Sequence, residues 1–214
     1  SRLACTCSIV KIQPMYPFPG KSVIGLTGGI ACGKSSVLEI FAKNGWEAIS
    51  TDKLAGEILT SDEQVADLLL DRWGKAVFDE RGIIDKKQIA EIIFSTPHER
   101  SWLEEVLHPR IRTAWMAEIE TVENSLLVVE IPLLFENDLQ SHFVQTISTF
   151  APRSIQLERL RERGLSTKQA NARIDAQLPG ERKAELADVV FLTSGSLDFL
   201  ERQVLSFLNS FSRN

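Results

Sequence analysis

The 214-residue sequence is poor in cysteine and aromatic residues and contains no long apolar run. Its three cysteines, Cys5, Cys7 and Cys32, are too few and too clustered for a disulfide framework. A lone Cys5-x-Cys7 pair, without a second pair, does not make a zinc site. A reducing, cytoplasmic setting is therefore expected. No stretch approaches the roughly 18 consecutive apolar residues of a transmembrane helix. The segment Leu3–Val10 behind Arg2 is broken by Thr6 and Ser8 and lacks a small-residue cleavage site, so it does not read as a secretion signal. Positive charge is not in excess either. With 24 Lys and Arg against 29 Asp and Glu, the net charge of -5 argues against a uniformly basic nucleic-acid coat or a polybasic membrane binder. Repeats and low-complexity tracts are absent, and 43% hydrophobic with 25% charged residues excludes a disordered chain.

What is present begins after a Pro-rich stretch. Residues 14–20 (Pro-Met-Tyr-Pro-Phe-Pro-Gly) read as a linker, and residues 1–20 as an N-terminal extension without a functional role. Met15 is a candidate translation start, which would leave residues 1–14 non-native.

From Lys21 onward, strands and helices alternate. The apolar run Val23–Thr27 predicts a buried strand, and Lys34–Lys43 a helix closed by Asn44-Gly45. Trp46–Ser50 follows as a strand. Ser61 is expected to cap a helix from Asp62 to Trp73, and Asp85 one from Lys86 to Phe94. Thr96-Pro97 opens another helix, reaching Leu107, with Pro109 kinking or restarting the chain. Leu126–Ile131, Phe143–Phe150 and Asp188–Leu192 complete the strands. Helices are expected at Pro152–Arg163 and Ser166–Ala176, and a last one carries Leu197, Leu200 and Val204 toward the core. Strands separated by helices imply a parallel α/β sheet. Residues 60–123, all helix, read as an insertion over the ligand edge of the sheet rather than an independent domain.

The strongest local signal is Gly28-Gly29-Ile30-Ala31-Cys32-Gly33-Lys34-Ser35, which fits G-x-x-x-x-G-K-[ST] between a strand and a helix. Glycines let the backbone wrap so that N–H groups face phosphate oxygens, and the helix adds its positive N-terminal end. Lys34 is expected to reach the β and γ phosphates, and Ser35 to offer its hydroxyl to Mg²⁺. Ser36 continues the loop into the helix. Two readings of Cys32 stand: an oxidation-sensitive thiol near a helix start, or simply a small loop residue. The fold class expected is a phosphate-loop (P-loop) NTPase-type α/β fold, a parallel five-stranded sheet flanked by helices. A guanine-reading Asn-Lys-x-Asp segment is absent, and a chain this short suits a small-molecule kinase better than a motor or transporter ATPase.

Several segments together resemble the dephospho-coenzyme A kinase family. They are Ile24–Ile30 with Gly33-Lys34-Ser35, Ser50-Thr51-Asp52, Leu107-His108-Pro109 and Ile131-Pro132-Leu133-Leu134-Phe135-Glu136. Arg159 to Arg163, Arg173-x-x-x-Gln177 and Ala187-Asp188 follow in order, so that the resemblance spans about residues 22–208. It implies transfer of the ATP γ-phosphoryl to the ribose 3′-hydroxyl of dephospho-coenzyme A, with ATP and Mg²⁺ required and neither nucleic acid nor membrane as partner. It further implies a core at 21–59 and 124–214, an acceptor-binding role for the 60–123 insertion, and a helical lid at about 164–183. Asp52 would orient the acceptor hydroxyl and take its proton, with a Mg²⁺ contact; the alternative is an N-cap for a helix starting at Lys53. Glu130 would hold a Mg²⁺-bound water, or else form a salt bridge at the sheet edge. His108, Pro132 and Leu133 would bind the acceptor, with His108 equally open to a structural role, and Glu136 would support the acceptor pocket or a helix start.

Arg159, Arg163 and Arg173, around the Gly164 hinge, would close on ATP, with Arg163 stabilising the transferring phosphoryl; a solvated helix laced with ion pairs is the alternative. The sequence departs from the family pattern at Ser50, where Asp is common, at Thr193-Ser194-Gly195, where an Asn-rich turn is common, and at Lys86, where Arg is common. Two other functions stay open: another P-loop small-molecule or nucleoside kinase, and a nucleotide-binding regulatory module without catalysis. The local charge suits a polyanionic substrate, since residues 151–185 carry eight Lys and Arg against five Asp and Glu.

Overall fold

Short strand-forming runs, clearly apolar in β1 and β3, become the five strands of one parallel sheet, as seen in a computed structural model that describes residues 17–211. Expectations about Cys5, Cys7, Met15 and the segment 3–10 fall outside the described residues. The strands are β1 (Ser22–Gly28), β2 (Glu47–Ser50), β3 (Leu126–Glu130), β4 (Gln145–Phe150) and β5 (Val189–Leu192), in the order β2-β3-β1-β4-β5. Every pair is parallel. Parallel strands need crossover helices that cover both faces, which is why the central strands β1 and β3 are apolar on both sides. On one face Ile24, Leu26, Val128 and Ile147 pack under α1 (Lys34–Lys43) and α9 (Leu197–Phe211). On the other, Val23, Leu127 and Val129 meet Trp115 and Ile119 of α5 (Pro97–Thr121). Each such buried aliphatic side chain contributes about 1.5–3 kcal/mol.

Between β2 and β3 the described chain is helical: α2 (Thr51–Ser61), α3 (Glu63–Trp73), α4 (Lys86–Ser95) and α5. Helix thus begins at Thr51, earlier than the expected insertion boundary at 60. Leu59, Val65, Leu69, Val77, Ile89 and Leu103 give this part its own small core. The rest comprises α6 (Arg153–Glu162), α7 (Thr167–Asp175) and α8 (Gly180–Leu186), the last of which was not anticipated.

Three expectations need correction. Asp62, not Ser61, caps α3: its Oδ1 accepts from the N–H groups of Gln64 at 2.9 Å and Val65 at 3.2 Å, while the Ser61 hydroxyl bonds back to the Glu57 carbonyl. Pro109 neither ends nor restarts a helix. It lies inside the 25-residue α5, where the exposed Glu105 turn leaves the unpaired carbonyl open to water. The start of the predicted strand at Phe143 is instead a core position after a 3₁₀ turn at Gln140–His142.

The linker reading of residues 14–20 also misses a packing role, since Phe18 is buried edge-on against Trp115, with ring centroids 6.1 Å apart. Lys21 then donates to the Ile119 and Val122 carbonyls, capping the C-terminal end of α5.

Candidate active site

β1, β2 and β3 run parallel, so their C-terminal ends share one edge, and the sequence loads that edge with polar groups. β1 ends in the phosphate loop, β2 in Ser50-Thr51-Asp52 and β3 in Glu130. The strand order reverses direction beside β1, the crevice where open α/β sheets bind ligands. Gly28 has φ 143, and a Cβ there would fall 2.1 Å from the Thr149 hydroxyl oxygen, so the loop can leave the strand only through glycine. Gly33 supplies a left-handed N-cap to α1 without a side-chain bond. The N–H groups of Ala31, Gly33, Lys34, Ser35 and Ser36 consequently have no acceptor among the described residues. Such amides at a helix start form an anion site. Lys34 Nζ rests on the Gly28 and Gly29 carbonyls, at 3.1 and 3.0 Å.

Glu130 ends the interior strand β3 at this edge and forms no salt bridge among the described residues. Its Oε2 accepts from the Ser50 hydroxyl at 3.0 Å. Burial raises its carboxyl pKa above the ordinary value, as does the neighbouring Asp52 charge, while Lys34 and the Ser50 hydrogen bond oppose them. Asp52 lies in the first turn of α2, exposed; the cap position belongs to Ser50, and neither side chain caps the helix. The N-cap alternative for Asp52 therefore has no hydrogen bond behind it.

Asp52, His108, Pro132 and Leu133 line one cavity of about 640 Å³, together with Arg112 and Gln177. Glu136 lies behind this wall. It pairs with Lys183 at 2.9 Å and accepts from the Leu178 N–H at 2.9 Å. Lys183 is fully buried and also donates to the Pro132 carbonyl. Its burial lowers the ammonium pKa, against the opposing pull of Glu136.

The arginines divide. Arg159 bridges the Ala31 and Thr193 carbonyls, so it braces the phosphate loop against the turn after β5. Arg163 ends α6, exposed and without a partner among the described residues. Arg173 stacks on Phe94 with its guanidinium carbon 4.2 Å from the ring centre; burial lowers its pKa. It leans on the helical insertion, not on the phosphate loop. Cys32 is buried, and its sulfur accepts from Gln156 Nε2 at 2.8 Å, which favours the packing role over a reactive one. Thr193, a departure from the family pattern, donates its hydroxyl to the Cys32 carbonyl at 3.0 Å and so supports the loop.

The dephospho-CoA kinase family model matches residues 22–198. The chain belongs to the dephospho-CoA kinase family. It is 37% identical over 190 residues to the dephospho-CoA kinase of Carboxydothermus hydrogenoformans, covering 87% of this chain and 92% of that one. It is 35% identical to that of Enterococcus faecalis over 189 residues, with 87% and 95% covered. Among solved structures, TT1252 from Thermus thermophilus superposes with a TM-score of 0.74 at 34% identity, covering 89% of this chain and 97% of that one. The Campylobacter jejuni dephospho-CoA kinase gives 0.63 at 28%, with 91% and 100% covered. A shikimate kinase from Acinetobacter baumannii, 14% identical with a TM-score of 0.50 over 90% of this chain and 96% of that one, shares the P-loop kinase fold alone.

For a dephospho-CoA kinase family member, the residues that sequence reasoning overlooked are those acting across the fold. Lys183 and Gln156 carry no local motif, and Thr193 stood only as a departure from the family pattern. Gln177 stood only as part of a spaced pair.

Proposed function

We propose that this protein transfers the ATP γ-phosphoryl to the ribose 3′-hydroxyl of dephospho-coenzyme A, yielding coenzyme A and ADP. The observation that carries the reading is the adjacency at the sheet edge of a loop with free amides and a cavity lined by Asp52. Family membership supports the substrate and the donor. In a loose phosphoryl-transfer transition state, positioning and charge neutralisation dominate. Lys34 leaves its loop carbonyls for the phosphates, and the free amides hold the β-phosphate oxygens. Asp52 orients the acceptor hydroxyl and receives its proton. His108, Pro132 and Leu133 hold the acceptor in the cavity, with Glu136 bracing its wall, and Arg163, beside the Gly164 hinge, comes over the nucleotide.

Mg²⁺ fits this donor set. Ser35 offers a hydroxyl, and Asp52 and Glu130 offer carboxylates near enough to Lys34 and each other to shift the Glu130 pKa. Among the described residues no three His, Cys, Asp or Glu side chains gather, so the ion would take most of its shell from phosphate oxygens and water. When bound, it neutralises phosphate charge. We place the activity in the cytoplasm, consistent with the free thiol of Cys32.

ADP release coupled to an indicator reaction, with dephospho-coenzyme A compared against nucleosides and pantothenate, tests the reading. Turnover dependent on dephospho-coenzyme A is expected. Turnover with a nucleoside instead would establish another small-molecule kinase, and no acceptor-dependent turnover would leave a regulatory module.

A further inference from the structure

Among the described residues only one amide of the phosphate loop is satisfied by a side chain: the Ile30 N–H donates to Gln177 Oε1 at 3.1 Å. A backbone N–H can only donate, so the oxygen of the carboxamide must face it and the NH₂ must point away. That orientation is fixed by chemistry rather than by choice of flip. The NH₂ has no partner among the described residues, and it is not buried. Gln177 lines the cavity that also contains Asp52, as well as a smaller one of about 290 Å³ beside α6 and α8. One side chain thus touches the phosphate loop with its oxygen and leaves two N–H donors open where loop and acceptor cavity meet.

Its backbone is held on both sides. The Gln177 N–H bonds to the Ile174 carbonyl at 3.3 Å, closing α7. The next N–H, of Leu178, bonds to Glu136, which is itself paired with the fully buried Lys183. Arg153 ties α7 to α6 through Asp175 at 2.7 Å. A glutamine anchored this thoroughly, with its donors unused, is pre-oriented for an anionic oxygen.

We propose that Gln177 is a further catalytic residue, donating an amide N–H to the phosphoryl group as it passes from ATP to the acceptor. The proposal rests on the phosphotransferase reading above. In that step the bond from the γ-phosphorus to the ADP oxygen breaks, the bond to the 3′-oxygen forms, and the hydroxyl proton passes to Asp52. Gln177 exchanges no proton; it stabilises charge on the phosphoryl oxygens while Ile30 holds its other end.

The test separates the two ends of the carboxamide in the full chain. Gln177→Glu keeps an acceptor for Ile30 but removes the donors; Gln177→Ala removes both. At saturating ATP and dephospho-coenzyme A, both variants are expected to lose at least about tenfold in kcat, with KM for dephospho-coenzyme A within about threefold, since a donor aimed at transition-state charge acts on kcat. Thermal unfolding of Gln177→Glu should match the wild type. Wild-type kcat in Gln177→Glu alongside a loss in Gln177→Ala would reduce Gln177 to a brace for the loop and overturn the proposal. A loss confined to KM would overturn it too. So would tighter binding of a non-hydrolysable ATP analogue to Gln177→Ala, because Gln177 would then be competing with phosphate for the Ile30 amide. If the wild type itself fails to turn over, the kinase reading falls, and this proposal with it.

Discussion

Ser50 donates its hydroxyl to Glu130 across the β2–β3 pair, Oγ to Oε2 at 3.0 Å, and so satisfies a carboxylate buried at the end of an interior strand. A second carboxylate at position 50, the commoner residue in the pattern this sequence resembles, would face Glu130 as a like charge. Serine at this position is therefore no sign of a lost site; it relieves the burial of Glu130 with a hydrogen bond.

Glu130 follows as the first prediction. Its carboxyl pKa lies above the ordinary 4.5, burial being the largest cause. An acid whose folded pKa exceeds its unfolded one destabilises the fold when ionised; the cost is absent below the unfolded value and grows as pH rises through the folded one. Glu130→Gln should therefore raise the Tm of the substrate-free protein at pH 7.5, with the gain vanishing toward pH 4.5. Turnover should fall by about tenfold or more, as expected where stability and site function compete. Thermal scans across that pH range check the first part; a gap that stays constant with pH would contradict it.

Asp52 separates function from capping. It makes no cap hydrogen bond, so Asp52→Asn should change stability by no more than about 1 kcal/mol, the scale of a helix-dipole contribution. Turnover should fall by at least about 10²-fold if it accepts the acceptor proton, with ATP binding retained. Chemical denaturation and steady-state kinetics on the same preparation measure both. Near-wild-type turnover would return Asp52 to an ordinary first-turn acid.

Lys183 is the group whose removal should cost most. Its side chain is fully buried, paired with Glu136 and bonded to the Pro132 carbonyl. Breaking a buried pair by deleting one partner costs about 3–5 kcal/mol, so Lys183→Ala should lower the urea midpoint by a corresponding amount. Glu136→Gln should cost less, because its amide oxygen can still accept from both Leu178 and Lys183. Equal losses would mean that the charge of the pair, not the contacts to Leu178 and Pro132, holds the segment.

These residues show what a linear reading reaches. The phosphate loop was legible because its function is local: glycines, a lysine and a helix start lie within eight consecutive residues. The central strands β1 and β3 were legible because burial on both faces leaves apolar runs. Lys183 was not, since no acidic residue stands three or four positions away and its partner is 47 residues earlier in the chain. Phe18 was hidden by the proline-rich composition around it, although its burial against Trp115 is tertiary. Pro109 suggested a break because proline removes one helical bond, yet packing of α5 against the sheet through Trp115 and Ile119 outweighs that loss. Asp62 and Ser61 are both good caps. Only the preceding helix, which takes in Ser61, decides between them.

Arg159 and Arg163 lie one helical turn apart and were assigned together to ATP, but their surroundings divide the roles. Arg159 is held by two carbonyls, of Ala31 and Thr193, which only a planar fork can bridge. Arg159→Lys should therefore fail to restore what Arg159→Ala loses. Both should lower stability by about 1–3 kcal/mol and weaken ATP binding, since buried carbonyls lose charged donors. Arg163 has no partner to lose. Arg163→Ala should leave the Tm of the substrate-free protein unchanged and lower kcat by at least about 10²-fold, within or somewhat below the range for an arginine on a transferring phosphoryl. Arg163→Lys should recover part of that loss, because charge without the fork still neutralises phosphate. The contrast between the two sites is the decisive readout: an Arg163→Ala variant that loses stability but keeps its kcat would make it a brace like Arg159, and would leave the phosphoryl to Lys34 and the loop amides.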